Sequence, residues 1–275
     1  MRKDKKTKNV IVTILLCVGS LFVVVPFVWM IFSSFKEINE FYLIPPKILP
    51  KKFMLDNFKE LFDKANFGKY YLNSLFVTGM QVVLNLFIVT MAGYGFAKYK
   101  FKGKKVFFTM ILSTTMVPWV ATIIPLYILT YKVGAIDTYF GLIFPGITDA
   151  FSIFLMRNFM TTIPTAFIEA ARIDGAGEFY IFHKLILPLV KPIIAVITIN
   201  KFVASWNAFQ WPLLVVNSDE LRTLPVAIAK FSSQYYDAYN LKMAAATLAI
   251  IPVLIVYISF QKYFVQGISL TGVKE

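Results

Sequence analysis

One cysteine, one histidine and little charge set the first limits on what this chain does. Cys17 lies inside an apolar run and has no second cysteine to pair with, so an intrachain disulfide is excluded. His183 is the only histidine, which leaves a multi-histidine metal site or a histidine-based triad without its parts. On an interfacial helix, a lone histidine reads as a solvated or packing residue. A phosphate-cradling glycine loop is also missing, because Gly103-Lys104-Lys105 has neither the upstream glycine nor the Ser or Thr after its lysine. Gly175-Ala176-Gly177 is half of a dinucleotide fingerprint, but Tyr180 stands at the third glycine position and no strand pattern precedes it. Without clustered His or Cys or paired carboxylates, an enzyme embedded in the membrane is disfavoured, and the expectation is a protein that performs no chemistry and holds no metal.

Charged residues make up 16% of the chain, against roughly a quarter in an ordinary soluble domain. With 58% hydrophobic residues and a mean hydropathy of +0.67, the composition is that of an all-α integral membrane protein. A net charge of +13 would suit a nucleic-acid binder. The positive residues, however, cluster between apolar segments, where membrane topology needs them, so no nucleic-acid partner is expected.

In order, a basic tail over residues 1–8 leads into an apolar run from 10 to about 32, long enough to cross a bilayer core of about 20 residues. This run is too long for a secretory core region and lacks a small-residue cleavage site, so residues 9–34 are expected to remain as the first span. Pro26 is expected to kink it, and Trp29 suits the far interface. Residues 35–70, with Ile44-Pro45-Pro46 and Asp56-Asn57-Phe58, are too polar to span and form an extracytoplasmic loop.

Further spans are expected at about 72–96, 106–129, 138–160, 185–215 and 243–260, followed by a short tail over 263–275. Gly79, Ala92, Gly93 and Gly95 offer small surfaces to a neighbouring helix in the second span. Pro118 and Pro125 free backbone carbonyls in the third, to be satisfied inside protein or by cavity water.

Six spans put both termini on one side. With the N-terminus in the cytoplasm, sixteen Lys and Arg lie in inner segments and eleven in outer ones. The densest cluster, Lys98, Lys100, Lys102, Lys104 and Lys105, falls in an inner loop, which is the sign the positive-inside rule requires.

Between the fourth and fifth spans lies Glu169-Ala170-Ala171-Arg172-Ile173-Asp174-Gly175-Ala176, a polar interruption that belongs in water. Pro164 can open a helix, Asp174-Gly175 is a turn dipeptide, and Phe179, Phe182, Leu185 and Ile186 then recur at helical spacing before Pro188 and Pro192. The spacing predicts helix, turn, helix. Ile163, Phe167, Ala170 and Ala171 are expected to face the protein, and Glu169 and Arg172 to face outward, available to another protein's groove.

This stretch resembles the EAA loop of membrane subunits of bacterial binding-protein-dependent ABC importers. Asn73-Ser74, Tyr94-Gly95-Phe96-Ala97, Phe101-Lys102-Gly103, Ile124-Pro125-Leu126, Phe154-Leu155-Met156-Arg157, Trp206-Asn207, Pro212-Leu213, Thr223-Leu224-Pro225 and the closing Phe264-Val265-Gln266-Gly267 extend the resemblance over nearly the whole chain. They are similar to the sugar-uptake branch and its shorter, six-span subunit, the kind that serves as second membrane subunit in maltose import. The ending departs from the family's usual pattern: Thr271-Gly272 stands where Gly-Ala precedes Val-Lys, and the last residue is Glu275.

The resemblance implies that 71–262 is the importer's transmembrane domain and that 164–183 contains a cytoplasmic coupling helix seated in a cleft of an ATPase subunit. Glu169, Ala170, Ala171, Arg172, Asp174 and Gly175 would make that contact. It further implies a homologous second permease, two ATP-binding subunits that hold ATP and magnesium, an extracytoplasmic solute-binding protein, a sugar substrate and a place in the bacterial cytoplasmic membrane. An ion-coupled carrier for a polar solute is the competing class. It would need intramembrane carboxylates or broken helices in paired halves, and no convincing internal repeat is visible.

Substrate-path candidates come from the few polar residues inside spans. On a helical wheel Asn200, Asn207 and Trp211 share a stripe, with Lys201 and Ser205 beside it. Asp149 and Lys201 are charges near the middle of the fourth and fifth spans, so each is expected to face protein or cavity water. Two readings stay open: a buried Asp149–Lys201 ion pair, or a Lys201 that meets an anionic group on the substrate.

Overall fold

The computed structural model describes residues 2–234 and 238–272, with side chains over 10–63, 66–231 and 238–263. All regular structure among these residues is helical. The chain runs α1 (Arg2–Ser33), a 3-10 turn (Ile38–Tyr42), α2 (Asp56–Ala65), α3 (Phe67–Lys98), α4 (Lys104–Ser113), α5 (Trp119–Lys132), α6 (Tyr139–Ile143) and α7 (Ala150–Thr161). It continues through α8 (Thr165–Ile173), α9 (Glu178–Tyr180), a π-helical turn (Ile181–Ile186), α10 (Leu187–Leu189), α11 (Lys191–Trp206), α12 (Gln210–Val215), α13 (Leu224–Gln234) and α14 (Tyr239–Gly272).

Three continuous helices, Val10–Ser33, Phe67–Lys98 and Tyr239–Tyr263, are long and apolar enough to cross a membrane. Three more crossings come from helix pairs bent at a short break, giving six in the expected order. The pairs are Lys104–Met116 with Trp119–Lys132 at 104°, Tyr139–Gly146 with Ala150–Thr161 at 45°, and Glu178–Leu189 with Lys191–Trp206 at 76°. The third, fourth and fifth spans are therefore broken, which apolar length alone does not reveal.

A proline stands at or beside each break. Val117 is extended, at ψ 119°, because Pro118 crowds the residue before it out of the helical region. Pro145 sits in the 3-10 turn Phe144–Gly146, and Pro192 opens α11 after Val190. Pro26, by contrast, leaves α1 a continuous helix. The motif's last residues, Val273, Lys274 and Glu275, lie outside the described residues, and α14 remains helical to Gly272.

The chain divides into two compact units, Met1–Gly68 with Ala227–Ile251, and Lys69–Val226 with Pro252–Glu275. In the first, the loop after α1 folds on itself. Asn57 is buried and donates to the carbonyls of Ser34 and Lys36, both at 2.9 Å, and accepts from Asn240 at 2.7 Å. Lys36 is buried, donates to the Lys47 carbonyl at 2.6 Å, and lies 5.4 Å from the centre of the Trp29 ring.

The second unit holds the core that matters for function. Val89 and Tyr94 of α3, Ile153, Met156 and Met160 of α7, Ile168 of α8, Ile181 and Ile186 of the π turn, and Ile193 and Ile197 of α11 form one apolar cluster. At Gly93, α3 lies so close to α7 that a Cβ there would stand 2.5 Å from Met156 Cγ. Gly93 is thus a close-approach residue of the expected kind. Gly79 and Gly95 have nothing within 4 Å, so the expectation does not extend to them.

Two motifs far apart in sequence meet in this unit. Asn73 donates to the carbonyls of Glu220 and Arg222 at 2.8 and 3.0 Å and accepts from Tyr139 at 2.8 Å, while Ser74 Oγ accepts from the Leu224 amide at 2.7 Å. The pair at the start of the second span therefore anchors the segment that leads into Thr223-Leu224-Pro225.

Candidate functional site

The segment after the fourth span is built by its turn chemistry. Ile163 is buried, Pro164 stands in front of the first turn of α8, and Ile168, 2% exposed, enters the core. At the other end the Asp174 amide donates to Ala170 at 3.0 Å, Gly175 to Arg172 at 3.0 Å and Ala176 to Ala171 at 2.9 Å. The last two bonds are the paired closure of a Schellman motif, whose first residue past the cap must be left-handed. Gly175 is that residue, at φ +82°. Ala171 and Ala176, which the motif brings together, pack on the apolar cluster. The spacing from Ala171 to Gly175-Ala176 is thus the spacing of a helix stop.

The expected faces need correction. Ile163 and Ala171 do turn inward, but Phe167 and Ala170 are exposed, and the inward stripe is Ile168 with Ala171, three residues apart. Phe167 (55% exposed), Ile173 (86%) and Phe179 (80%) instead leave apolar surface uncovered on the same segment as Glu169. Glu169 is exposed and makes no hydrogen bond or ion pair among the described residues. Arg172 is exposed too, but it is held within the chain: its Nε donates to Glu178 Oε1 at 2.6 Å. The second Glu178 oxygen accepts a short bond from the Tyr99 hydroxyl, and Tyr94 OH lies 3.5 Å from it. Lys98, at the end of α3, makes a short bond to the Ile163 carbonyl.

Sequence reasoning missed Glu178, Tyr94 and Tyr99 as a group, since Tyr99 lies 79 residues from its partner. His183 stacks flat on Phe179, with ring centres 6.0 Å apart.

Inside the membrane-spanning part of the same unit is a cavity of about 500 Å³. It brings Asp149, Lys201 and Trp211 together, with Ser205, Gln81, Trp119 and the threonines 114, 115, 122 and 148. Asn200 and Asn207 are exposed and do not line it. The wheel that placed them on one stripe with Trp211 fails because α11 ends at Trp206, with Asn207 as its cap, and a new helix starts at Gln210. Pro212 has no amide to give, and its ring crowds the carbonyl four residues back, that of Ala208, which lies in the break.

Asp149 also differs from the expectation of a mid-helix charge. It sits in the break of the fourth span as the N-cap of α7, accepting from the Ser152 amide at 2.7 Å, Ser152 Oγ at 2.9 Å and Asn85 Nδ2 at 3.2 Å. It makes no ion pair with Lys201, whose ammonium has no hydrogen-bond or ion-pair partner among the described residues. Trp211 is buried, donates from Nε1 to the Gly141 carbonyl at 2.9 Å, and meets Trp119 edge to face at 6.4 Å.

Comparison with known proteins places these features in a family. Residues 85–270 match the family described as binding-protein-dependent transport system inner membrane component. The chain is 35% identical over 269 residues to the arabinooligosaccharides transport system permease protein AraQ of Bacillus subtilis (strain 168), covering 97% of this chain and 96% of that protein. It is 32% identical over 259 residues to the diacetylchitobiose uptake system permease protein NgcG of Streptomyces coelicolor, covering 93% and 85%. Among solved structures it is similar to a chain of a bacterial ABC transporter involved in the import of the acidic polysaccharide alginate. There the TM-score is 0.84 and the identity 27%, over 94% of this chain and 97% of that one.

Proposed function

This chain belongs to the binding-protein-dependent transport system inner membrane component family, and from that premise we propose that it is one permease subunit of an ATP-driven saccharide importer. With a homologous sibling permease it forms the path for a saccharide delivered by an extracytoplasmic binding protein. The named relatives are transport permeases, two of them for oligosaccharides or a disaccharide by their names. ATP and magnesium are held by two partner ATPase subunits, and the N-terminus, the 98–105 loop, α8 and the C-terminus face the cytoplasm.

The observation that carries this reading is α8. It is a short helix, closed at its end by the Gly175 turn and anchored by Ile168. It presents the unpaired Glu169 together with exposed Phe167 and Ile173, and Phe179 is exposed just after the turn. Exposed large apolar residues on one short segment mark an interaction surface. Closure of the ATPases then pushes a rigid helix whose buried side is continuous with α7, α11 and α3. Packed side chains of that kind transmit displacement, because they have little free volume in which to absorb it.

The test is reconstitution. The chain is assembled in proteoliposomes with its sibling permease, ATPases and binding protein, and uptake of labelled saccharides is followed with and without ATP. ATP-dependent uptake that requires the binding protein is expected. Uptake driven by an ion gradient in the absence of ATP would replace this reading with the carrier class.

A further inference from the structure

The cavity inside the second unit contains one cation, Lys201, that Asp149 influences only through space, without an ion pair. Lys201 is half-buried within the fifth span, where an unpaired ammonium is costly, and it lines the cavity without a hydrogen bond or ion pair among the described residues. The nearest candidate counter-charge, Asp149, already has three donors: the Ser152 amide, the Ser152 hydroxyl and the Asn85 amide group. It also caps α7, where the helix end favours a negative charge. Asp149 is therefore satisfied without Lys201.

The rest of the lining is suited to sugar hydroxyls. Thr114, Thr115 and Thr122 each donate their own proton to a backbone carbonyl three residues back, at 2.7, 2.7 and 2.9 Å. Their oxygens keep acceptor capacity, and all three residues line the cavity. A saccharide's O–H groups donate to such acceptors, and the Trp119 ring offers an apolar face for its C–H edges. A neutral saccharide would complement these groups and leave the Lys201 ammonium facing an uncharged ligand.

We propose that this cavity selects saccharides bearing an anionic group, a carboxylate or a phosphate ester, and that Lys201 supplies the counter-charge by a charge-assisted hydrogen bond. The inference rests on the reading of the chain as a saccharide permease and adds the charge of its cargo. No covalent step is involved, and the contribution is one of selectivity along the path.

The experiment uses the complete importer in proteoliposomes with three labelled probes: trigalacturonate for the carboxylate, maltose phosphate for the phosphate ester and neutral maltotriose. Wild-type importer is expected to take up at least one acidic probe in preference to the neutral one, and the acidic probe accepted identifies the source of the charge. Lys201→Met is expected to lower that uptake by about tenfold or more, the loss of one charge-assisted bond, while neutral uptake and basal ATPase activity stay within about twofold of wild type. Lys201→Arg is expected to retain most of the acidic uptake. Should Lys201→Met fail to accumulate, Lys201→Gln, which keeps a polar donor without the charge, replaces it, and the wild-type comparison of probes needs no variant.

Wild-type importer that accepts maltotriose but neither acidic probe would overturn the inference and leave the permease reading standing. Equal loss of acidic and neutral uptake in Lys201→Met would also overturn it, since Lys201 would then serve assembly. Absence of ATP-dependent uptake of every probe would instead count against the permease reading itself.

Discussion

Arg172 and Glu178 close on each other across the turn that ends α8, Nε to Oε1 at 2.6 Å, and the same carboxylate reaches back to Tyr99 just beyond α3. Both side chains are about half exposed, so water screens the pair and it adds little to stability. Its consequence is geometric, because it ties the outward-facing helix to the end of a long span 79 residues earlier in the chain.

Glu178→Gln keeps the shape and removes the charge that holds Arg172 and Tyr99. Expected are a normal amount of protein in the membrane and a several-fold drop in saccharide moved per ATP hydrolysed, measured in proteoliposomes. An unchanged ratio would mean that this tie plays no part in coupling.

Glu169→Lys inverts the exposed, unpaired charge of α8. Since Glu169 is exposed and makes no hydrogen bond or ion pair among the described residues, immunoblots should show wild-type amounts in the membrane. Uptake should be nearly lost and the ATPase subunits should co-purify poorly. Full uptake would remove Glu169 from the coupling surface.

Gly175 needs a left-handed backbone, but a Cβ there would meet nothing within 4 Å. The cost of substitution is therefore conformational, roughly 1–2 kcal/mol for a β-branched residue and less for asparagine. Gly175→Val should impair uptake several-fold and Gly175→Asn should stay close to wild type. Equal behaviour of the two variants would show that the turn is not what limits coupling.

Gly93→Leu forces side-chain atoms into the space held by Met156, where even a Cβ would lie 2.5 Å from Cγ. Overpacking of this kind costs about 1–3 kcal/mol. The thermal midpoint in detergent should fall, and Met156→Ala should restore part of it by vacating the contact. A Gly93→Leu protein with an unchanged midpoint would contradict the close approach of α3 and α7.

Topology is open to direct labelling. After Cys17→Ser removes the native thiol, a cysteine at Lys102 should react with an impermeant maleimide only from the cytoplasmic side, and one at Lys52 only from outside. Opposite accessibility would invert the orientation proposed above.

What the sequence by itself determined is what depends on composition or on a few neighbouring residues. Apolar length marked the crossings, because a bilayer demands about 20 such residues wherever they fall. Asp174-Gly175 marked the end of α8, because only glycine reaches φ +82° without strain. Pro118 and Pro192 were visible as helix disruptors, though not the 104° and 76° bends they accompany.

Tertiary structure alone decided which distant groups meet. A helical wheel placed Asn200 and Asn207 beside Trp211, and the break after Trp206 separated them. Asp149 looked like a partner for Lys201 until a bend of 45° made it the cap of α7 and gave its carboxylate to Ser152 and Asn85. Asn73 found Glu220 and Arg222 across about 150 residues of chain. The reason is physical: periodicity carries information over one or two helical turns, whereas the register between helices is set by where each one breaks and how closely its neighbours pack.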